Sequence, residues 1–245
     1  MEFPSRLVLF DIDGTLVSTG GRAGQALLRA LAATYGVLPE LDGYSFAGKT
    51  DPHIVRELLT RSGVAASVIE ERREKALATY LEYLREALEP GSVQVLPGVR
   101  QLLDALAALP QVTVGLLTGN VAGGAALKLR AAGLAGTFHF GAYGCDAEDR
   151  NALVPIARQR AFELTGHHFP AERTVVVGDA EADIRCARAG GARAVAVATG
   201  GTPRAALAAL APDVVLESLA DPTALAAILD HPPGRALPPS HSSRV

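Results

Sequence analysis

The sequence predicts an α/β protein: a parallel sheet with helices on both faces and an all-helical segment inserted after the first strand. Two observations carry this. Short apolar, β-branched runs, each followed by a helical pattern, recur through the second half of the chain: VTVGLL (Val112–Leu117), TVVVG (Thr174–Gly178) and ARAVAVA (Ala192–Ala198). Continuous apolar strands alternating with helices mark a sheet covered on both sides. The first such run, Val8–Phe10, is instead followed from Ser18 to about Gly91 by helical patterns with no clear strand.

Each element is justified by its local pattern. Within the inserted segment, Arg22–Tyr35 places Leu27, Leu28 and Leu31 on one side, and Pro52–Arg61 carries Ile54, Val55, Leu58 and Leu59. Ser67–Leu88 sets Glu, Arg and Lys on one face against Leu, Tyr and Ala on the other, the signature of an amphipathic helix. Leu96–Pro110 is helical with proline at both ends. Helices are expected again over VAGGAALKLRAAG after the second strand and AEADIRCARAGG after Gly178. Further strands are expected at Asp213–Leu216 and, shorter, near Thr137–Phe140. The chain therefore divides into a core of residues 1–17 and 92–230, an α-helical cap of 18–91 and a Pro- and Ser-rich mobile tail of 231–245.

Composition narrows the function. A chain of 245 residues, 49% hydrophobic, supports a large core. A net charge of −3 leaves no basic footprint for nucleic acid. No apolar run approaches the ~20 residues of a membrane span, and the N-terminus has no signal-peptide pattern. Cys145 and Cys186 suggest no disulfide framework, so the expected compartment is the cytoplasm.

Polar residues gather at the ends of the strands, where open α/β sheets bind ligands. LVLFDIDGTL puts Asp11 and Asp13 at the end of the first strand. Two carboxylates so close repel unless a cation or a shared proton intervenes. The second strand ends in Thr118-Gly119-Asn120, directly before a helix, and the TVVVG strand ends in Asp179, with Asp183 four residues on. The loop YGCDAEDRN supplies Arg150. This set suits phosphoryl transfer. Asp11 and Asp179 offer the hard oxygens that Mg²⁺ takes. Thr118 offers a hydroxyl donor, and the amides of Gly119 and Asn120 stand at a helix N-terminus, where an anion is favoured. Arg150 presents a planar fork to phosphate oxygens.

DIDGTL, LLTGN and VVVGDAEADI resemble the first, second and fourth motifs of the haloacid dehalogenase-like hydrolase superfamily, over roughly residues 5 to 228. The helical insert matches members with an α-helical cap, and the resemblance is strongest to phosphoglycolate phosphatases. It implies a Rossmann-like core and a magnesium-dependent phosphatase acting on a small phosphorylated metabolite. By this resemblance Asp11 is the nucleophile that becomes an aspartyl-phosphate. Asp13 is the general acid and base, its backbone carbonyl facing the metal. Thr118 holds the transferring phosphate, Asp179 binds metal, and Asp183 is a ligand or supports one. The third motif is a Lys in most relatives. Here Arg150 stands at that place, in a chain with only 3 Lys. Lys128, two turns into a helix, is expected to point away from the site, and Arg158 and Arg160 to be surface charges.

Rival readings are weaker. Asp13 disfavours the dehalogenase and phosphonate-cleaving chemistries of the superfamily. FAGKTDPHIV resembles the first cap loop of phosphoglycolate-phosphatase-like members, so Lys49 and Thr50 are candidate substrate contacts. Asp51 stands near the place of the Arg with which sugar phosphate mutases hold a second phosphate, which disfavours a mutase. A catalytically silent phospho-ligand-binding member would be expected to lose an acid, and none is missing.

Overall fold

The computed structural model describes residues 5–229. Strand β1 (Arg6–Phe10) is followed by a two-residue strand β2 (Val17–Ser18), then helices α1 (Arg22–Tyr35), α2 (Asp51–Arg61) and α3 (Ala66–Ala87). The chain returns through β3 (Gln94–Val95), α4 (Val99–Ala107), β4 (Val112–Leu117), α5 (Ala122–Ala131), β5 (Gly141–Ala142) and α6 (Leu153–Thr165). It closes with β6 (Thr174–Gly178), α7 (Glu181–Ala189), β7 (Arg193–Val197), α8 (Arg204–Ala209), β8 (Val214–Leu216) and α9 (Ala224–Ile228).

The main sheet has six strands in the order β5-β4-β1-β6-β7-β8, all parallel. Alternation along each strand divides its core in two. Leu7 and Leu9 of β1 face a cluster with Leu153, Val154, Ala157, Ile184 and Leu207 of α6, α7 and α8. Val8 and Phe10 face the opposite cluster, with Leu102 and Leu106 of α4, Leu127 of α5 and Ile228 of α9. That second cluster runs on without a break into Leu27, Leu31, Val55, Leu58 and Leu84 of α1–α3. The inserted helices therefore share apolar packing with one face of the sheet, and Leu81 of α3 lies against Gly123 and Gly124 of α5.

Three local expectations change. The inserted segment is helical, with no strand within 19–91, but an unexpected antiparallel pair, β2 with β3, brackets it where the chain enters and leaves the helices. Two-residue strands are too short to leave a periodic signature. The edge strand expected at Thr137–Phe140 lies at Gly141–Ala142, because Phe140 packs across Gly115 before the ladder with β4 begins. Helix α4 starts at Val99 rather than Leu96, since Gly98 takes a left-handed conformation (φ 81°) as its N-cap. The expected tail, 231–245, lies outside the described residues.

Because β1 sits between β4 and β6, the chain reverses its direction of travel across the sheet there. That switch point opens a crevice at the carboxyl ends of β1, β4 and β6, which are the ends carrying Asp11, Thr118 and Asp179.

Candidate active site

Asp11 comes directly after β1, its amide bonded to the Val177 carbonyl at 2.9 Å. The next residues curl at once, with Gly14 N–H bonded to Val17 O at 2.9 Å and Leu16 N–H to Ile12 O at 2.9 Å. The turn requires its glycine twice. Gly14 has φ +82°, and a Cβ there would lie 2.6 Å from Asp179 Cγ. The dipeptide Asp13-Gly14 thus lets the β1 turn close onto the acid at the end of β6.

Asp11, Asp179 and Asp183 are buried, and their carboxylate oxygens lie within 4.8 Å of one another. One cation serves this group directly. Arg150 Nη2 donates to Asp11 Oδ1 at 3.0 Å, to Asp183 Oδ1 and to the Leu117 carbonyl. Its Nη1 donates to the Gly48 carbonyl at 3.3 Å, and its buried Nε has no hydrogen-bond partner among the described residues. Asp183 also accepts the Ala180 N–H at the start of α7 through Oδ2, 2.9 Å, so both of its oxygens are tied to protein donors. Among the described residues Asp179 accepts only the Thr15 hydroxyl, at 3.1 Å. Burial, then repulsion from Asp183 and Asp11, pushes the Asp179 carboxyl up to about 8. Burial outweighs Arg150 at Asp11, with Asp183 and Asp13 adding repulsion, and raises it to about 6. Three hard carboxylates, short of positive charge and pointed at one spot, fit a divalent cation.

Asp13 faces the other way. Its carboxylate, partly exposed, accepts from Asn120 Nδ2 at 2.8 Å and from Lys128 Nζ at 2.6 Å. Lys128 also donates to Asn120 Oδ1 at 2.5 Å, and Asn120 Nδ2 donates to Thr118 Oγ1 at 2.8 Å. The expectation that Lys128 points away from the site is therefore wrong. Its side chain is almost fully buried and ends on Asp13. Helical Cα–Cβ bonds tilt toward the N-terminus, and the four-carbon stem spans the two turns back to the rim. Thr118, fully buried, accepts from Asn120 and keeps its own hydroxyl proton available for a ligand. Arg158 and Arg160 stay outside this group. Arg158 Nε binds the Phe169 carbonyl, and Arg160 pairs with Asp146 at 2.6 Å.

The loop before α2 reaches the same rim. Gly119 O accepts the Asp51 amide at 2.7 Å, and Asp51 Oδ2 accepts the Val121 N–H at 2.8 Å, so this loop is stitched to the start of α5. Thr50 is the N-cap of α2, accepting from His53 N–H, and its hydroxyl donates to Glu148 O at 2.8 Å. Thr50 is thus occupied in structure rather than aimed at a ligand. Lys49 lines the cavity above the acids, yet its Nζ is held by Glu57 at 2.6 Å and lies 4.0 Å from the Tyr44 ring centroid.

Burial raises the Asp51 carboxyl to about 6, against the pull of Lys128 and the Val121 amide. Its folded pKa thus exceeds the unfolded value of about 3.9. The charged form costs stability above about pH 6, and protonation relieves that cost as the pH falls from about 6 to about 4. Asp51→Asn keeps an acceptor for Val121 and is expected to raise Tm near pH 8 more than near pH 4.5. A Tm difference that does not change with pH would show that the buried charge is not what limits this site.

Comparison with known proteins places these features in a family. The model of the haloacid dehalogenase-like hydrolases matches residues 5–191. A phosphoglycolate phosphatase of Pseudomonas savastanoi pv. phaseolicola is 27% identical over 215 residues, 87% of this chain and 77% of that protein. Among solved structures, CbbY from Rhodobacter sphaeroides in complex with phosphate superposes with a TM-score of 0.65 at 20% identity, covering 91% of this chain and 99% of that one. A β-phosphoglucomutase from Clostridium difficile gives 0.67 at 16% identity, covering 89% and 92%. The fold alone thus does not separate a phosphatase from a mutase.

Proposed function

Because the chain belongs to the haloacid dehalogenase-like hydrolases, we propose that it is a magnesium-dependent phosphatase that hydrolyses a small phosphate monoester through an aspartyl-phosphate. The observation that carries this is the separation of two acids one residue apart. Asp11 lies among buried carboxylates beside Arg150, while Asp13 lies on Asn120 and Lys128. This separation supports a nucleophile in the first acid and a proton carrier in the second.

In this reading Asp11 Oδ attacks phosphorus and the ester oxygen leaves. Asp13 gives that oxygen its proton. Asp13 then takes a proton from water as the water attacks the aspartyl-phosphate, which releases phosphate and restores both acids. Thr118 donates to a phosphoryl oxygen, and Arg150 holds Asp11 in place while balancing charge around it. Lys128 and Asn120 orient Asp13. Asp11, Asp179 and the Asp13 backbone carbonyl would hold Mg²⁺, with Asp183 fixing Arg150 alongside. Bound there, the ion neutralises charge on the phosphoryl oxygens and on Asp11. Residues 18–91 act as a cap over a core of 1–17 and 92–230, hinged where β2 meets β3, and closure excludes water and selects the alcohol. A mutase needs a further cation for a second phosphate, and the loop cation, Lys49, is already paired with Glu57.

The direct test is hydrolysis of p-nitrophenyl phosphate. Activity is expected to vanish with EDTA and to return with Mg²⁺, but hardly with Ca²⁺, whose larger and looser shell suits this chemistry poorly. Undiminished turnover in EDTA would rule out the metal roles of Asp11 and Asp179.

A further inference from the structure

A cavity of about 580 Å³ opens above the acids. That volume lies within the range, about 300–1,000 Å³, that encloses most of a drug-sized ligand, and it far exceeds a phosphoryl group with a two-carbon acid attached. Its floor is the polar group described above. Its roof is different: Leu27 and Leu28 of α1, Leu41 and Phe46 of the loop between α1 and α2, and Ile54 of α2 line it. Small residues, Ala23 and Gly24, keep the α1 side open, and Gly24 lies against the Phe46 ring.

The roof also lacks a free charge. Among the described residues lining the cavity, the cations are Lys128, Arg150 and Lys49. The first two are engaged on the floor. Lys49 is neutralised by Glu57, whose own carboxyl it holds below the usual range, and is stacked on Tyr44. A substrate carboxylate lodged against Leu27, Leu28 and Phe46 would lose its hydration with no cation in return. Other polar side chains line the cavity as well, Ser18, Thr19 and Gln25 among them, but one buried hydroxyl stands apart. Tyr80 of α3 is 1% exposed and lines the cavity, and its hydroxyl makes no hydrogen bond among the described residues.

We infer that the substrate is a phosphate monoester of an uncharged, largely apolar alcohol of ring size or larger, bearing one further oxygen that Tyr80 recognises. This rests on the phosphatase reading and narrows it: the acidic two-carbon alcohol named for the relatives does not match this roof. Apolar contact with the roof supplies affinity, and the Tyr80 hydroxyl supplies discrimination, since a site built to bond an oxygen rejects analogues that lack it.

The test compares kcat/KM of the Mg²⁺-loaded full-length protein for phosphoglycolate, 2-phenylethyl phosphate and 2-hydroxy-2-phenylethyl phosphate, with p-nitrophenyl phosphate as the reference for phosphatase chemistry. The phenyl esters are expected to exceed phosphoglycolate by about 10-fold or more, with the hydroxylated one ahead. Tyr80→Phe should erase the advantage of the hydroxylated ester over its parent. Leu28→Lys, at a half-buried roof position, should shift the ratio toward phosphoglycolate. A wild-type preference for phosphoglycolate overturns the inference, as does a Leu28→Lys ratio equal to wild type or a hydroxyl advantage that survives Tyr80→Phe. Loss of p-nitrophenyl phosphate hydrolysis as well would instead remove the phosphatase reading beneath it.

Discussion

Asp11→Asn is expected to lower kcat for p-nitrophenyl phosphate by at least about 10⁴-fold, the scale of removing a covalent nucleophile, while Tm stays within a few degrees of wild type. The amide keeps the shape of the side chain and can still accept from Arg150 Nη2, now 3.0 Å from Asp11 Oδ1. It also removes one of three buried, mutually repelling carboxylates. Stability therefore loses a charge-assisted hydrogen bond and gains relief from repulsion, and the two offset. Chemistry has no such compensation, because an amide oxygen does not form a stable acyl phosphate. Single-turnover mixing with ³²P-labelled ester should trap label on the wild-type protein and none on the variant. A variant that retains full turnover at unchanged Tm would move the nucleophile elsewhere.

The positions of Asp11, Thr118 and Asp179 were legible because strand ends can be read locally: an apolar run stops and a polar residue takes over. The parallel sheet was legible for the same reason. Lys128 was not. Helical position alone predicted that it faces away, and the reach of a lysine stem back along α5 toward Asp13 is a tertiary fact with no local pattern. The signal available was chemical: a Lys in the apolar run ALKLRAAG, in a chain with 3 Lys, is either badly solvated or paired. Lys49 is the opposite case. Its loop was read as reaching toward the substrate, and it does line the cavity, but Glu57, two turns along α2, claims its charge. The β2–β3 pair, being two residues long on each side, carried no periodicity to read.

Arg150 and Lys128 are two buried cations at the site, and their removal should produce different kinetic signatures. Arg150 bonds Asp11, Asp183 and the carbonyls of Leu117 and Gly48. It serves the phosphoryl side of the reaction, which every substrate shares. Arg150→Ala should therefore cost about 10²-fold or more in kcat, the scale of losing one preorganised donor, and cost it equally for p-nitrophenyl phosphate and for an alkyl ester. It also leaves Asp11 and Asp183 buried without their cation, a loss of roughly 3–5 kcal/mol when a buried pair is broken, so Tm should fall well below that of Asp11→Asn. Arg150→Lys keeps the charge and loses the fork, and should recover part of both losses. Lys128 bonds Asp13 and Asn120 instead. It serves the leaving group, whose need for a proton depends on its basicity. Lys128→Met keeps the stem and removes the charge. Its cost should be small for p-nitrophenyl phosphate, whose leaving oxygen departs unaided, and about 10–10²-fold for an alkyl ester that needs its proton. Measuring all three variants against both esters, well below each Tm, separates the roles. Equal losses on both esters for Lys128→Met would assign it to the phosphoryl group rather than to Asp13. Near-wild-type turnover in Arg150→Ala would mean that some other cation meets the phosphoryl charge.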